Sequence, residues 1–278
     1  MRGMVAAIDF GASNTKVVVH DGAGSHHWRL PSEGQPSDAR VREVLAFREV
    51  RPDALDWIAV TGGNRSALSE AIDGSPLHRV DEVQAIGRGG LALSGLGRAV
   101  VTSAGSGTAV VAAHPEGSKH VTGTGVGGGT LVGLSRLLIG TVDPEEIDAL
   151  ALAGKDTTHN LTIGEILGQA IGGLPPETTA VNFGRVARHS VDASREDTAA
   201  ALVNMVGQVI GVVAINAARS QQLEHAVIVG HLADLPSIRR TLSAVGMFYH
   251  ASVKIPEHGG MATALGALLV TQERLGGQ

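Results

Sequence analysis

The chain has 278 residues, 43% of them hydrophobic, which is enough to bury a large core and long enough for two lobes. A formal charge of −5 argues against a nucleic-acid partner, and the absence of cysteine excludes disulfides, thiolate metal sites and iron–sulfur clusters. No apolar run reaches the ~18 residues of a membrane span and the N-terminus lacks a secretory signal pattern, so a cytoplasmic protein with no membrane partner is expected.

In chain order, Met4 to His20 reads as strand, tight turn, strand, with Asp9 ending the first strand and Lys16 entering the second. Its pattern D-x-G-x-S-x-x-K is a candidate phosphate hairpin. In it the backbone from Gly11 through Ser13 to Asn14 faces phosphates, Lys16 adds a positive charge, and Asp9 orients a Mg²⁺ ion through water. A third strand is expected near His27–Leu30, a helix from Ser37 to Val50 capped by Ser37, and a strand from Trp57 to Thr61 closed by the loop Thr61-Gly62-Gly63-Asn64. The pattern then predicts a helix near Ser66–Ile72, a short strand Leu77–Val80, and a helix from Asp81 to about Leu93. A second hairpin follows over Val100–Val111, turning at Gly105-Ser106-Gly107.

Beyond it, Thr122 to Leu134 places Gly123, Thr124, Gly125, Gly127, Gly128 and Gly129 at the start of an apolar helix. Missing side chains let N–H groups approach an anion, and the positive end of the helix adds to the attraction. A helical stretch with a polar, proline-containing loop is expected from Asp143 to about Asn182, and the longest helix from Arg195 to Gln222. That helix carries an apolar stripe, Ala199, Leu202, Val203, Val206, Val209, Ile210, Val213 and Ala217, of the kind that usually packs a core and less often seams a dimer. A strand His225–Val229, a helix Pro236–Val245, a strand Ser252–Ile255 and a helix Gly260–Leu275 complete the chain. Two units that each begin with strand, hairpin and strand imply a duplicated α/β architecture, divided near residue 108 into 1–108 and 109–278.

With D-x-G-x-S-x-x-K first and a G-S-G-T hairpin second, the chain resembles the actin, sugar kinase and Hsp70 superfamily, whose duplicated ribonuclease H-like lobes close over ATP. Within it the chain is most similar to the type II pantothenate kinases, on motifs along essentially its whole length. These are T-G-G-N at Thr61–Asn64, T-G-x-G-G-G-T-x-x-G-L at Thr124–Leu134, and Ala180-Val181-Asn182-Phe183-Gly184. Val227-Ile228-Val229-Gly230-His231, and Glu257-His258-Gly259-Gly260 with Ala264-Leu265-Gly266-Ala267-Leu268, complete the set. The resemblance implies a two-lobed actin-like ATPase fold, MgATP as donor, pantothenate or a related hydroxylated small molecule as acceptor, and a homodimer built on the long helix. It puts Gly230 on the adenosine side, Ser106 and His120 beside the substrate, and the catalytic carboxylate at Glu82. Such a carboxylate orients a hydroxyl toward the γ-phosphorus and accepts its proton. Asp81 is the competing base on spacing, although an Asp before a helix is a good N-cap.

This sequence departs from the family at several places. His120 stands where the family commonly has an arginine that holds the pantothenate carboxylate, and a histidine offers one donor where arginine offers a fork. Lys119 beside it belongs to the opposite strand face. Ala109 replaces a frequent hydroxyl residue, and Thr263 a small glycine. A repressor of this superfamily carries a DNA-binding segment before its core, whereas here the hairpin begins at residue 5. The superfamily's activator ATPases use a cysteine-bound cluster that a cysteine-free chain cannot build. A nucleotide- or CoA-binding pseudokinase is the remaining rival.

Overall fold

A computed structural model of the chain describes residues 3–276. The opening hairpin is β1 (Val5–Phe10) and β2 (Asn14–His20), continued by β3 (Ser25–Pro31). Helix α1 (Asp38–Ala46) starts where the Ser37 hydroxyl accepts from the Arg40 N–H at 3.2 Å. Strands β4 (Ile58–Gly62), β5 (Ala71–Ile72) and β6 (Ser75–Arg79) then complete a sheet in the order β3-β2-β1-β4-β6-β5. Helix α2 (Glu82–Ser94) leads to β7 (Ala99–Ala104), β8 (Thr108–His114), β9 (Gly117–Thr124) and α3 (Gly128–Ile139). After α4 (Pro144–Ala153), β10 (Leu161–Thr162), α5 (Ile163–Leu167) and β11 (Thr179–Val181) comes the long α6 (Arg195–Ser220). Strand β12 (His225–Val229), α7 (Pro236–Phe248), β13 (Ser252–Lys254) and α8 (Ala262–Gly276) close the chain.

The second sheet runs β13-β12-β7-β8-β9 and repeats the plan of the first. In each, a three-stranded antiparallel meander begins the unit, and its first strand is flanked on the other side by parallel strands: β1 by β4 and β6, β7 by β12 and β13. Strand alternation assigns the faces. Ala6, Ile8 and Phe10 join α1 in an outer core, whereas Val5 and Ala7 face Ala264, Ala267 and Leu268 of α8. In the second sheet Val100, Val110 and Ala112 face α6, whereas Val101, Val111 and Ala113 face Ile86 and Leu91 of α2. Helices α2 and α8 therefore fill the space between the two sheets. They cross where a Cβ on Gly89 would lie 1.8 Å from the Ala262 carbonyl oxygen and one on Gly266 would lie 1.8 Å from that of Ala85.

Three expectations change. The helix near Ser66–Ile72 is absent: Arg65–Ala67 form one 3₁₀ turn and Ala71–Ile72 an edge strand, because Arg79 ties this loop down by donating to the carbonyls of Arg65 and Leu68. The stretch 143–182 is not one helical region but α4, α5 and the β10–β11 ribbon. A division at residue 108 falls inside the β7–β8 hairpin, and both strands belong to the second sheet, so the change of sheet lies between Arg79 and Ala99. Helix α6 is long and apolar enough to cross a membrane by length and composition, with a window of mean hydropathy 1.9, but it packs against α3, α4 and α7 in the largest core.

Candidate active site

The alternation that puts Val5 and Ala7 on the inner face of the first sheet puts Asp9 there as well. Its partner across the hairpin is Lys16, and its parallel neighbour is Thr61. Lys16 Nζ donates to Asp9 Oδ2 at 2.8 Å, and Asp9 is 3% exposed. The Thr61 hydroxyl is fully buried and has no hydrogen-bond partner among the described residues, an orphan beside the carboxylate. Gly11 has no room for a side chain, since a Cβ would lie 2.8 Å from the Asn14 carbonyl oxygen and 3.2 Å from Lys16 Nζ.

The second hairpin meets the first tip to tip. Ser13 Oγ and Ser106 Oγ are hydrogen-bonded at 2.6 Å across the two lobes. The glycine-rich run is wired to this second tip: the Gly128 N–H donates to the Gly105 carbonyl at 2.8 Å and the Gly129 N–H to that of Ser106 at 2.9 Å. A Cβ on Gly127 would lie 2.7 Å from the Ser106 oxygen, and one on Gly123 the same distance from that of Thr108. Gly107 accepts from the Gly105 N–H at 2.9 Å. Part of the glycine signature thus answers to close packing of hairpin on helix start, with the first N–H groups of α3 already satisfied by protein carbonyls. Beside Gly125 a Cβ would meet open space, and Thr124 Oγ1 accepts from the Val126 N–H at 3.1 Å.

Glu82 is the first residue of α2, which lies between the lobes. Asp81 caps the helix, its Oδ1 accepting from the Val83 N–H at 3.0 Å and the Gln84 N–H at 3.3 Å. Glu82 makes no hydrogen bond or ion pair among the described residues, although its side chain is reached by solvent. Partial removal of its carboxylate from water raises its pKa above the ordinary glutamate value, and the negative charge of Asp9 raises it further, while Arg65 and then Lys16 oppose the shift. Glu82 thus lies close enough to the Asp9–Lys16 pair to sense both charges. The sequence pointed to Asp9, Lys16 and Glu82 but not to Arg65, which lies just past the T-G-G-N loop; an arginine immediately after a strand-end glycine turn was the available signal.

His120 also faces inward. It pairs with Val111, and Gly123 pairs with Ala109, so both lie on the α2 side of the sheet. Residues three apart share a face here because a bulge opposite Val110 and Val111 inserts an extra residue into β9. Lys119 pairs with Ala112 and lies on the opposite face. Farther along the cleft, Gly230 has φ +101° and a Cβ there would lie 2.4 Å from the Ala104 carbonyl oxygen, so only glycine fits. A cavity of about 240 Å³ lies between the lobes, lined by Lys16, Arg29, His231, Asp234 and Gly260 among others. It joins the first hairpin to the loop after β12. A larger hollow of about 590 Å³ at the end of α7 has no carboxylate, lysine or arginine in its lining. The A-V-N-F-G motif forms a corner, the Phe183 N–H donating to Asn160 Oδ1 at 2.9 Å and Asn182 Nδ2 to Gln208 Oε1 at 3.0 Å.

Among the described residues no group of three or more histidine, aspartate or glutamate side chains is arranged to hold a metal. A lone buried carboxylate beside an unpartnered hydroxyl suits an ion held mainly by phosphates and water, as Mg²⁺ is with nucleotides.

The Fumble family profile matches residues 99–270. A type II pantothenate kinase of Staphylococcus haemolyticus is 29% identical over 273 residues, covering 95% of this chain and 99% of that protein. One of Bacillus cereus strain G9842 is 30% identical over 148 residues, 53% of this chain and 54% of that protein, so the chain spans about half the length of that relative. Among solved structures, the activator of 2-hydroxyisocaproyl-CoA dehydratase from Clostridium difficile, with bound ADPNP, superposes with a TM-score of 0.67 at 18% identity, over 98% of this chain and 95% of that one. The chain has the two-lobed actin-like ATPase fold. With its fold and its motifs in agreement, it belongs to the Fumble family, the family of the type II pantothenate kinases.

Proposed function

We propose that this protein is an ATP-dependent kinase that phosphorylates the primary hydroxyl of pantothenate, the first step of coenzyme A synthesis. The observation that carries the reading is the meeting of the two hairpin tips at Ser13 and Ser106 in the chain that also pairs Lys16 with Asp9, and the charges of that pair act on Glu82. The named relatives support the same activity.

In this reading the backbone of Gly11, Ser13 and Asn14 lines one side of the phosphates and Gly105 and Gly107 the other, with Gly123, Thr124 and Gly125 closing the floor. Gly127, Gly128 and Gly129 contribute by holding the second tip against α3. Gly230 lets the chain turn on the adenosine side. Lys16 holds a positive charge beside the phosphates, and Asp9 orients the water shell of Mg²⁺, which neutralises phosphate charge when bound. Ser106 and His120 border the acceptor. Glu82 accepts the proton of the hydroxyl, and its raised pKa makes its carboxylate a stronger base than that of an ordinary glutamate. Asp81 is unsuited to that task because it is committed to the cap.

Transfer of this kind depends mostly on positioning and charge neutralisation, so the hairpins contribute more than the base. A homodimer is part of the proposal. The stripe on α6 lies largely in its own core, and a seam would use the half-exposed face around Val209, Val212 and Asn216. A cytoplasmic setting follows from ATP as donor. The test is ADP release from MgATP across a panel of hydroxylated acceptors. Pantothenate should stimulate release most. Stimulation by another acceptor alone would reassign the substrate, and nucleotide binding without stimulation by any acceptor would make the chain a pseudokinase.

A further inference from the structure

Replacing the expected arginine by His120 leaves the carboxylate of a hydroxy acid without its two-pronged partner. Four other cations lie near the cleft or in the loop beside it, and their existing bonds separate them. Arg29 is bound to the His231 ring and stands 3.9 Å from Glu145. Lys16 is bound to Asp9. Arg79 is used inside the loop, donating to the carbonyls of Arg65 and Leu68 and pairing with Glu70 at 2.8 Å. Arg65 differs. Its Nη1 donates to the Gly62 carbonyl at 2.9 Å, and its Nη2 stands 3.6 Å from Asp81 Oδ2, within ion-pair range but beyond a hydrogen bond. The remaining N–H groups of the guanidinium have no partner among the described residues.

The loop holds Arg65 in place from several sides. Gly62 has φ +92° and Asn64 φ +52°, so the chain turns sharply over the end of β4, and a Cβ on Gly62 would lie 2.4 Å from the Phe10 carbonyl oxygen. Asn64 donates to Gln35, and Arg79 grips the Arg65 carbonyl. The side chain is about 29% exposed, and its charge bears on Glu82 more strongly than that of Lys16 does.

We propose that Arg65 is the residue that recognises the acceptor's carboxylate in this protein, doing from the loop after β4 what the family's arginine does from β9. The inference rests on the kinase reading above and names a specificity determinant of the same site. An arginine fork gives two parallel charge-assisted bonds. The Asp81 contact, too long for a hydrogen bond, keeps the fork oriented and yields to a closer carboxylate.

The test compares two acceptors, pantothenate and its alcohol analogue in which a hydroxymethyl replaces the carboxylate, in the wild-type protein and in Arg65→Gln, Arg65→Lys and His120→Gln. KM and kcat are read separately for each. Arg65→Gln should raise the KM for pantothenate on the order of tenfold to a hundredfold and collapse the preference for acid over alcohol. Arg65→Lys should restore part of that preference, and His120→Gln should move it far less than Arg65→Gln does. Loss of the preference in His120→Gln but not in Arg65→Gln overturns the inference. Equal losses on both acceptors in Arg65→Gln overturn it too, by making the residue structural. A wild-type protein that uses the alcohol as well as the acid overturns it while the kinase reading stands; one that phosphorylates neither overturns both.

Discussion

Replacing Glu82 by glutamine changes one oxygen for an amide and separates chemistry from architecture. The side chain makes no hydrogen bond or ion pair among the described residues, and the helix it begins is capped by its neighbour Asp81, so the fold loses no contact. The catalytic loss should be that of a missing general base, on the order of 10²- to 10⁴-fold in kcat, or about 3–5 kcal/mol of barrier. Nucleotide binding should persist, because the hairpins are untouched. Stability should move the other way. In the folded protein partial removal from water and the charge of Asp9 raise the Glu82 pKa, so ionising it opposes folding at any pH above the ordinary glutamate value. Glu82→Gln removes that cost, and its melting temperature should equal or exceed that of the wild type, with the gap widening as pH rises from the ordinary glutamate value through the raised pKa. Asp81→Asn is the control: asparagine caps as well as aspartate does, so turnover should stay within a few-fold of wild type. Single-turnover phosphoryl transfer and calorimetric melting read both quantities. A Glu82→Gln protein with more than about a tenth of wild-type turnover, or an Asp81→Asn protein that has lost it, refutes this assignment of the base.

Asp9→Ala should abolish transfer measured by ADP release, and Lys16→Ala should lower it substantially while leaving a cooperative thermal transition. The acid limb of kcat/KM should lie above that of an ordinary glutamate base and shift to still higher pH in Arg65→Gln, since that guanidinium holds the Glu82 pKa down; an unmoved limb in a pH-rate profile separates the two residues. Gly266→Ala forces α2 and α8 apart, since its Cβ would lie 1.8 Å from the Ala85 carbonyl oxygen, and should cost about 1–3 kcal/mol or more in denaturant unfolding. Sedimentation at tens of micromolar, on the order of ordinary assay concentrations, should give a dimer, and a monomer there removes the α6 seam.

The strands and hairpins were legible because alternation and strand-end Asp and Gly residues are local signals. The sequence put Asp9 at the end of one strand and Lys16 at the start of the next, and the structure pairs them across the hairpin. The false helix at Ser66–Ile72 arose because its fold is set by Arg79, a residue beyond the segment, whose guanidinium binds the loop's carbonyls. Periodicity found the stripe on α6 but carries no information about what covers it, and three helices of the same lobe do. The glycine-rich run read as a phosphate cradle, yet Gly128 and Gly129 give their N–H groups to the second hairpin, a pairing invisible until the hairpin is placed. Arg65 was missed for the same reason: it is 17 positions before Glu82, and only the sharp turn at Gly62 and Asn64 brings its charge to bear there.

The most direct measurement is ³¹P NMR of purified protein with MgATP and pantothenate. A phosphate monoester resonance should grow in step with loss of the ATP γ-phosphorus signal, with little inorganic phosphate, and should be absent with Asp9→Ala. Conversion of ATP to inorganic phosphate alone, or an unchanged spectrum with pantothenate, contradicts the assignment of this cleft to phosphoryl transfer onto that hydroxyl.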